Sequence, residues 1–248
     1  MRVLAVLTAA GSGTRLGHAL PKALVPLHEE PLVAHAARRL LAACPGPDGA
    51  ATRLVDELVV TAPADLVDAV RGAVAPVVAD GVRLVVVPGG PTRQASVAAA
   101  LAHLGDDDDA VVLVHDAARP WAPPELVARV VAAVAAGHDA VVPGLPVTDT
   151  VKRVGPADVA HAEPVRETVE RSALRAVQTP QGFRLGLLRR AHDEAARHAH
   201  DERVAASDDA GLVERLGRPV WVVPGDERAA KITTARDLRV AELLGEDA

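Results

Sequence analysis

Short runs of Val and Leu recur along the first part of the chain, at Val3–Leu7, Leu58–Thr61, Leu84–Val87, Val111–Val114 and Ala140–Val142. Each is apolar at successive rather than alternate positions, which predicts strands covered on both faces. Between them, helix-like apolar spacing predicts helices over Leu32–Ala43, Ala64–Val74, Ser96–Leu104 and Pro124–Ala136. Strands and helices in alternation predict a doubly wound α/β sandwich around a mostly parallel sheet.

The pattern breaks after Pro146. From Val147 to Gln178 charged residues come at short intervals and the apolar ones are too scattered for a core of their own. Alternating stretches such as Asp149–Val154 predict short strands, so the expectation is an arm, at about 147–178, that packs on a second subunit of a homodimer. Helical spacing resumes at Leu185–His198 and Asp208–Leu216, followed by a strand at Val220–Val223 and a last helix at Ala235–Leu244. The 248 residues suit one large domain, expected to span 1–248.

Composition narrows the classes. No stretch approaches the roughly 18 to 20 uninterrupted apolar residues of a membrane span, so no membrane partner is expected. The opening MRVLAVLTAAGSG has the outline of a secretion signal, but its apolar part is too short, and Arg2–Leu7 is read as a buried strand. The single cysteine, Cys44, rules out an internal disulfide and fits a cytoplasmic location. A net charge of −6 argues against nucleic acid as a partner, so an anionic ligand must meet locally placed cations. With only Trp121, Trp221 and Phe183 as aromatics, a base would be recognised by backbone hydrogen bonds rather than by stacking.

Those cations gather first after the opening strand, in Ala9-Ala10-Gly11-Ser12-Gly13-Thr14-Arg15-Leu16-Gly17 with Pro21-Lys22 just beyond. Glycines let a backbone approach a ligand and turn its N–H groups toward phosphate oxygens. Leu16 stands where a dinucleotide fingerprint requires glycine, and the Gly-Lys-Ser/Thr triplet of a P-loop is missing. What remains is an anion cradle carrying Arg15 and Lys22, suited to a triphosphate whose charge must be neutralised as a bond to phosphorus forms and breaks. Three further places carry chemistry. Gly89 and Gly90 follow a strand, and Arg93 to Ser96 open the next helix at the same sheet edge. In His115-Asp116-Ala117-Ala118-Arg119-Pro120 a buried strand ends in a carboxylate and then a guanidinium, which pair equally well as a plain salt bridge. Asp208 is placed to cap the helix beginning there. His192, His198 and His200 read as surface residues on a polar helix face, and no Cys/His cluster points to zinc.

AAGSGTRLG followed by PKAL resembles the start of nucleotidyltransferases that activate sugars and polyols. PGGPTRQASV, VHDAARP, PVTDTVKR, TPQGF and KITTARDL extend that resemblance over almost the whole chain, to the 2-C-methyl-D-erythritol 4-phosphate cytidylyltransferase family of the non-mevalonate isoprenoid pathway. The resemblance implies a Rossmann-like fold of the nucleotide-diphospho-sugar transferase type, CTP and a polyol phosphate as partners, and Mg²⁺ as cofactor, with Asp116 as the one candidate metal ligand. It implies CTP contacts at Ala9, Ala10, Gly11, Ser12, Gly13, Gly90, Arg93, Ser96 and Asp116. The polyol phosphate falls to Arg119, Thr150, Arg171, Ser207 and Lys231, the arm residues Asp149, Thr150, Lys152 and Arg171 reaching a neighbouring subunit's site. Catalytic charge stabilisation falls to Arg15, Lys22, Arg171 and Lys231. Pro91 stands where the family commonly has Asp, and Ser207 where it usually has Thr. A phosphate monoester is already a nucleophile near neutrality, its second pKa lying near 6, so neither a general base nor a covalent intermediate is expected. A ribitol 5-phosphate cytidylyltransferase shares most of these motifs, and an inactive nucleotide-binding module is the rival from another class; such a module is expected to have lost Arg15, Lys22 or Lys231. The length is expected to leave out the appended cyclase domain of a bifunctional relative.

Overall fold

The computed structural model describes all residues except Ser12, Thr14, Arg15, Ala19, Ala43, 46–50, Glu202 and 246–248. Five strands fall on the apolar runs: β1 (Val3–Thr8), β2 (Glu57–Ala62), β3 (Arg83–Pro88), β4 (Val111–Asp116) and β5 (Ala140–Pro146). Later in the chain come β6 (Lys152–Val154), β7 (Val165–Thr168), β8 (Arg175–Val177), β9 (Gln181–Arg184) and β10 (Trp221–Pro224). An eight-stranded sheet runs β8-β5-β9-β4-β1-β2-β3, with β10 added along β5. The β1–β2, β1–β4, β2–β3 and β5–β10 pairs are parallel, while β8 and β9 run antiparallel to their neighbours.

Although the central strands are apolar at most positions, alternate residues serve opposite faces, as the pleat requires. Ala5, Leu7, Val60 and Leu113 pack under α1 (Leu32–Leu41), α2 (Val67–Val74) and α4 (Pro124–Ala135). Leu4, Val6, Val59, Val112 and Phe183 pack under α3 (Arg93–Leu101), α5 (Leu185–Glu194) and α6 (Ala210–Arg215). The last helix, α7 (Ala235–Leu244), has the predicted bounds. Its start is fixed by a capping box in which Thr234 accepts from the Asp237 N–H and Asp237 accepts in return.

Several elements differ from the sequence expectation for local reasons. Helix α2 begins three residues late because Pro63–Leu66 forms a turn, closed by Leu66 N–H to Pro63 O at 2.9 Å. Helix α3 begins three residues early because the Thr92 hydroxyl caps it, accepting from Ala95 N–H at 3.0 Å. Helix α5 stops at Glu194, short of His198, and a 3-10 turn at Ala196–His198 follows. The expected arm is shorter than 147–178: β6 and β7 form an exposed antiparallel hairpin, but Arg175–Val177 returns to the main sheet against β5. Strand β9, Gln181–Arg184, has no counterpart in the sequence expectation.

The sheet's order places the functional edge. From β1 the chain moves to β2 and β3 on one side, then crosses to β4 on the other. The C-terminal ends of β1 and β4 therefore diverge into loops at a switch point, where open α/β sheets bind ligands. Thr8 and Asp116, the last residues of these strands, stand opposite each other in register.

Phe183 is fully buried between β9's neighbours and the α5–α6 layer. Phe183→Ala is expected to cost about 3–5 kcal/mol of unfolding free energy in urea titrations; a loss near zero would contradict this packing.

Candidate active site

A cleft of about 630 Å³ opens at the switch point. Its floor is Thr8 to Gly11 and Gly13 of the first loop. Lys22 and Ala23 form one wall, Gly90 to Arg93 with Ser96 another, and Asp116 to Ala118 with Lys231 a third. Two close approaches hold the loops together. A Cβ on Gly13, whose φ is +64°, would collide with the Lys22 side-chain stem, and one on Gly89 would collide with Ala10 and lie 2.8 Å from Ser96 Oγ. The glycines thus bring the lysine against the loop backbone and bring the β3–α3 turn against the β1 loop. Ser96 finishes that turn: its hydroxyl accepts from Gly90 N–H at 3.1 Å and donates to Thr92 O at 2.8 Å.

Asp116 is the electrostatic centre. Its Oδ1 accepts from Arg93 Nε at 3.1 Å and from Thr8 Oγ1 at 3.3 Å, and its Oδ2 accepts from Lys231 Nζ at 2.6 Å. Burial alone would raise its pKa, but Arg93 and then Lys231 outweigh that and hold the carboxyl well below the usual range. Burial would likewise discharge Arg93, yet Asp209 and Asp116 keep it charged, with its pKa raised above the ordinary value. Lys231 is positioned by its neighbours: Ile232 N–H donates to Ala118 O at 2.8 Å, and the capping box of α7 follows at Thr234. The lysine side chain is still 42% exposed, so its head, held by Asp116, also borders the cleft and solvent.

Beneath the carboxylate lies a closed hydrogen-bond chain. His115 Nε2 lies 3.3 Å from Arg119 O, which can only accept, so that nitrogen carries the hydrogen. Thr179 Oγ1 accepts from Asp116 N–H at 3.1 Å and donates to His115 Nδ1 at 2.9 Å. Burial pushes the His115 pKa down to about 4, so the ring is neutral near pH 7 with both nitrogens occupied. It holds the Asp116 turn and offers no lone pair to a substrate.

Of the residues expected from sequence, Ala9, Ala10, Gly11, Gly13, Lys22, Gly90, Arg93, Ser96, Asp116 and Lys231 meet in this one cleft. Ser12 and Arg15 lie outside the described residues. Arg119 lies behind the wall: its guanidinium is buried and donates to Ala229 O at 2.6 Å, fixing the turn that precedes Lys231. Gln178 steadies the same turn through paired bonds with the Asp226 backbone, at 2.8 and 2.9 Å. Ser207 is exposed and outside the lining, as are Thr150 and Arg171, the latter donating to Thr148 O on its own arm. Asp208 accepts from Gly211 N–H at 3.1 Å, in the first turn of α6 as expected. One expectation is corrected. His192 is not a surface residue: it is buried, with Nε2 2.9 Å from Asp209 Oδ1, because α5 turns that position toward α6. His198 and His200 are exposed. Sequence reasoning also missed Thr8, Thr179 and Asp209. Thr179, in the TPQGF string, and Asp209, beside Asp208, lie within or next to motifs the sequence marks, but their side-chain directions are set by tertiary contacts.

Residues 3–246 match the family 2-C-methyl-D-erythritol 4-phosphate cytidylyltransferase (IspD). The chain is 48% identical over 242 residues to the 2-C-methyl-D-erythritol 4-phosphate cytidylyltransferase of Nocardia farcinica, covering 98% of this chain and 93% of the relative. To that of Saccharopolyspora erythraea it is 48% identical, covering 98% and 99%. The crystal structure of 2-C-methyl-D-erythritol 4-phosphate cytidylyltransferase from Thermus thermophilus superposes with a TM-score of 0.71 at 38% identity, covering 99% of this chain and 100% of that one. With a match of this extent, the chain belongs to the 2-C-methyl-D-erythritol 4-phosphate cytidylyltransferase family.

Proposed function

We propose that the chain transfers CMP from CTP to 2-C-methyl-D-erythritol 4-phosphate, giving 4-diphosphocytidyl-2-C-methyl-D-erythritol and pyrophosphate for non-mevalonate isoprenoid synthesis. The observation that carries this reading is the buried Asp116 carboxylate, gripped by Arg93 and Lys231 and facing a glycine-rich loop closed by Lys22, in a chain of this family. The triphosphate lies along the Ala9–Gly13 backbone, with Lys22 and Arg15 on its charge. The cytosine lies toward Gly90 and Ser96, where backbone groups replace the aromatic stacking this composition does not supply.

An oxygen of the acceptor phosphate attacks the α-phosphorus of CTP in line as pyrophosphate leaves. That oxygen is nucleophilic without help, since a phosphate monoester loses its second proton near pH 6. The protein therefore aligns the two phosphates and neutralises the charge that builds between them. Lys231 serves the acceptor phosphate, with Arg119 steadying the turn behind the lysine. Asp116 is the only carboxylate among the described residues of the lining, and one carboxylate suits Mg²⁺, which takes its other ligands from phosphates and water. Asp116 would hold the ion, whose chemistry is to lower the charge of the triphosphate.

Thr150 and Arg171 complete the acceptor site from a second subunit in a cytoplasmic homodimer. The exposed β6–β7 hairpin, standing off the sheet and away from its own chain's cleft, supports that exchange.

Purified protein given CTP and Mg²⁺ is expected to release pyrophosphate faster with methylerythritol phosphate than with ribitol 5-phosphate. The opposite preference would reassign the acceptor, and no release with either would contradict the transferase reading. Lys231→Ala and Arg171→Ala proteins are each expected to be inactive, and mixing them should recover part of the activity through hybrid dimers with one intact site; absence of recovery would contradict a shared site.

A further inference from the structure

Arg93 is the first residue of α3, where the positive end of the helix disfavours a cation. It stays there because two carboxylates share it. Nε faces Asp116 Oδ1 at 3.1 Å, and Nη1 faces Asp209 Oδ2 at 2.6 Å. Asp209 lies outside the cleft lining, is 1% exposed, and is placed by three elements at once. Arg93 of α3 takes one oxygen, and His192 of α5 takes the other through Nε2 at 2.9 Å. Gln181 of β9 holds the backbone, its Oε1 accepting from the Asp209 and Ala210 N–H groups at 3.2 Å each. A buried carboxylate held this firmly fixes the plane of the guanidinium it pairs with.

That plane decides what Asp116 can do. A guanidinium free of Asp209 would turn its fork onto both Asp116 oxygens in the bidentate pairing that arginine favours. Lys231 would lose Oδ2, and the carboxylate would be withdrawn from the nucleotide. We propose that Asp209 and His192 are positioning residues for CTP, dividing the Arg93 guanidinium between two carboxylates so that Asp116 Oδ2 stays with Lys231 at the cleft instead of being drawn into a second bond to Arg93. The proposal rests on the CTP reading of the cleft and adds two residues that touch neither substrate.

The test is steady-state kinetics with both substrates, alongside thermal melts, for Asp209→Asn, His192→Leu and His192→Gln. Asp209→Asn is expected to raise KM for CTP by roughly 10- to 100-fold, by analogy with the loss of an outer partner that orients a metal-binding side chain, with KM for methylerythritol phosphate near the wild-type value. His192→Leu is expected to raise KM for CTP less, and His192→Gln, which keeps an N–H donor toward Asp209, to restore it. If Asp209→Asn does not fold, the His192→Leu and His192→Gln pair carries the test. With a wild type that turns over CTP, an unmoved KM for CTP in the variants would overturn the positioning role alone, as would both KM values rising together with a fallen melting temperature. A wild type that consumes no CTP would overturn the nucleotide reading and this proposal together.

Discussion

A carboxylate cannot be buried at the end of a strand without cations to hold it, and this constraint organises the site. Asp116 closes β4 with 8% of its side chain exposed. An unpaired charge there would cost several kcal/mol. Arg93 and Lys231 meet that requirement from opposite directions, one from the start of α3 and the other from the segment before α7. The loops of three distant parts of the chain therefore converge on one group. The remaining polar contacts support these three residues: Thr179 and His115 set the Asp116 backbone, Asp209 sets Arg93, and Arg119 with Gln178 sets the turn before Lys231.

The scaffold beneath is insensitive to this chemistry. Strands β1, β2 and β4 are apolar on both faces and give the sheet its two layers of helices without reference to a ligand. Function is added where the strands end. The order of the sheet makes β1 and β4 neighbours whose following loops part company, and small residues then let those loops touch: Gly13 against Lys22, Gly89 against Ala10. A side chain at either position would push apart segments that meet at the cleft.

The fold class and the cleft's main members are legible in the sequence because both rest on local signals. Runs of Val and Leu mark buried strands, and the glycine loop with Lys22 marks an anion cradle. Strand β9 is not legible, since Gln181–Arg184 contains one large apolar residue and is a strand only because β4 and β5 flank it. The same reason hides β8, whose three residues pair with the far end of β5 after the hairpin has left the sheet. In the sequence His192 is one more polar position on a charged helix; only the docking of α5 against α6 turns it inward. Asp209 is masked by Asp208, whose helix-capping role explains a single aspartate there and leaves the second without a visible partner until α3 is in place.

Asp116 gathers the cations at the switch point, where we place the nucleotide. Asp116→Asn keeps the shape and removes the charge, and the deciding measurement is pyrophosphate release at saturating CTP on variant protein whose circular dichroism matches wild type. Turnover is expected to fall roughly 100-fold or more, the scale seen when a preorganised electrostatic group is lost. Turnover close to that of wild type would contradict that placement.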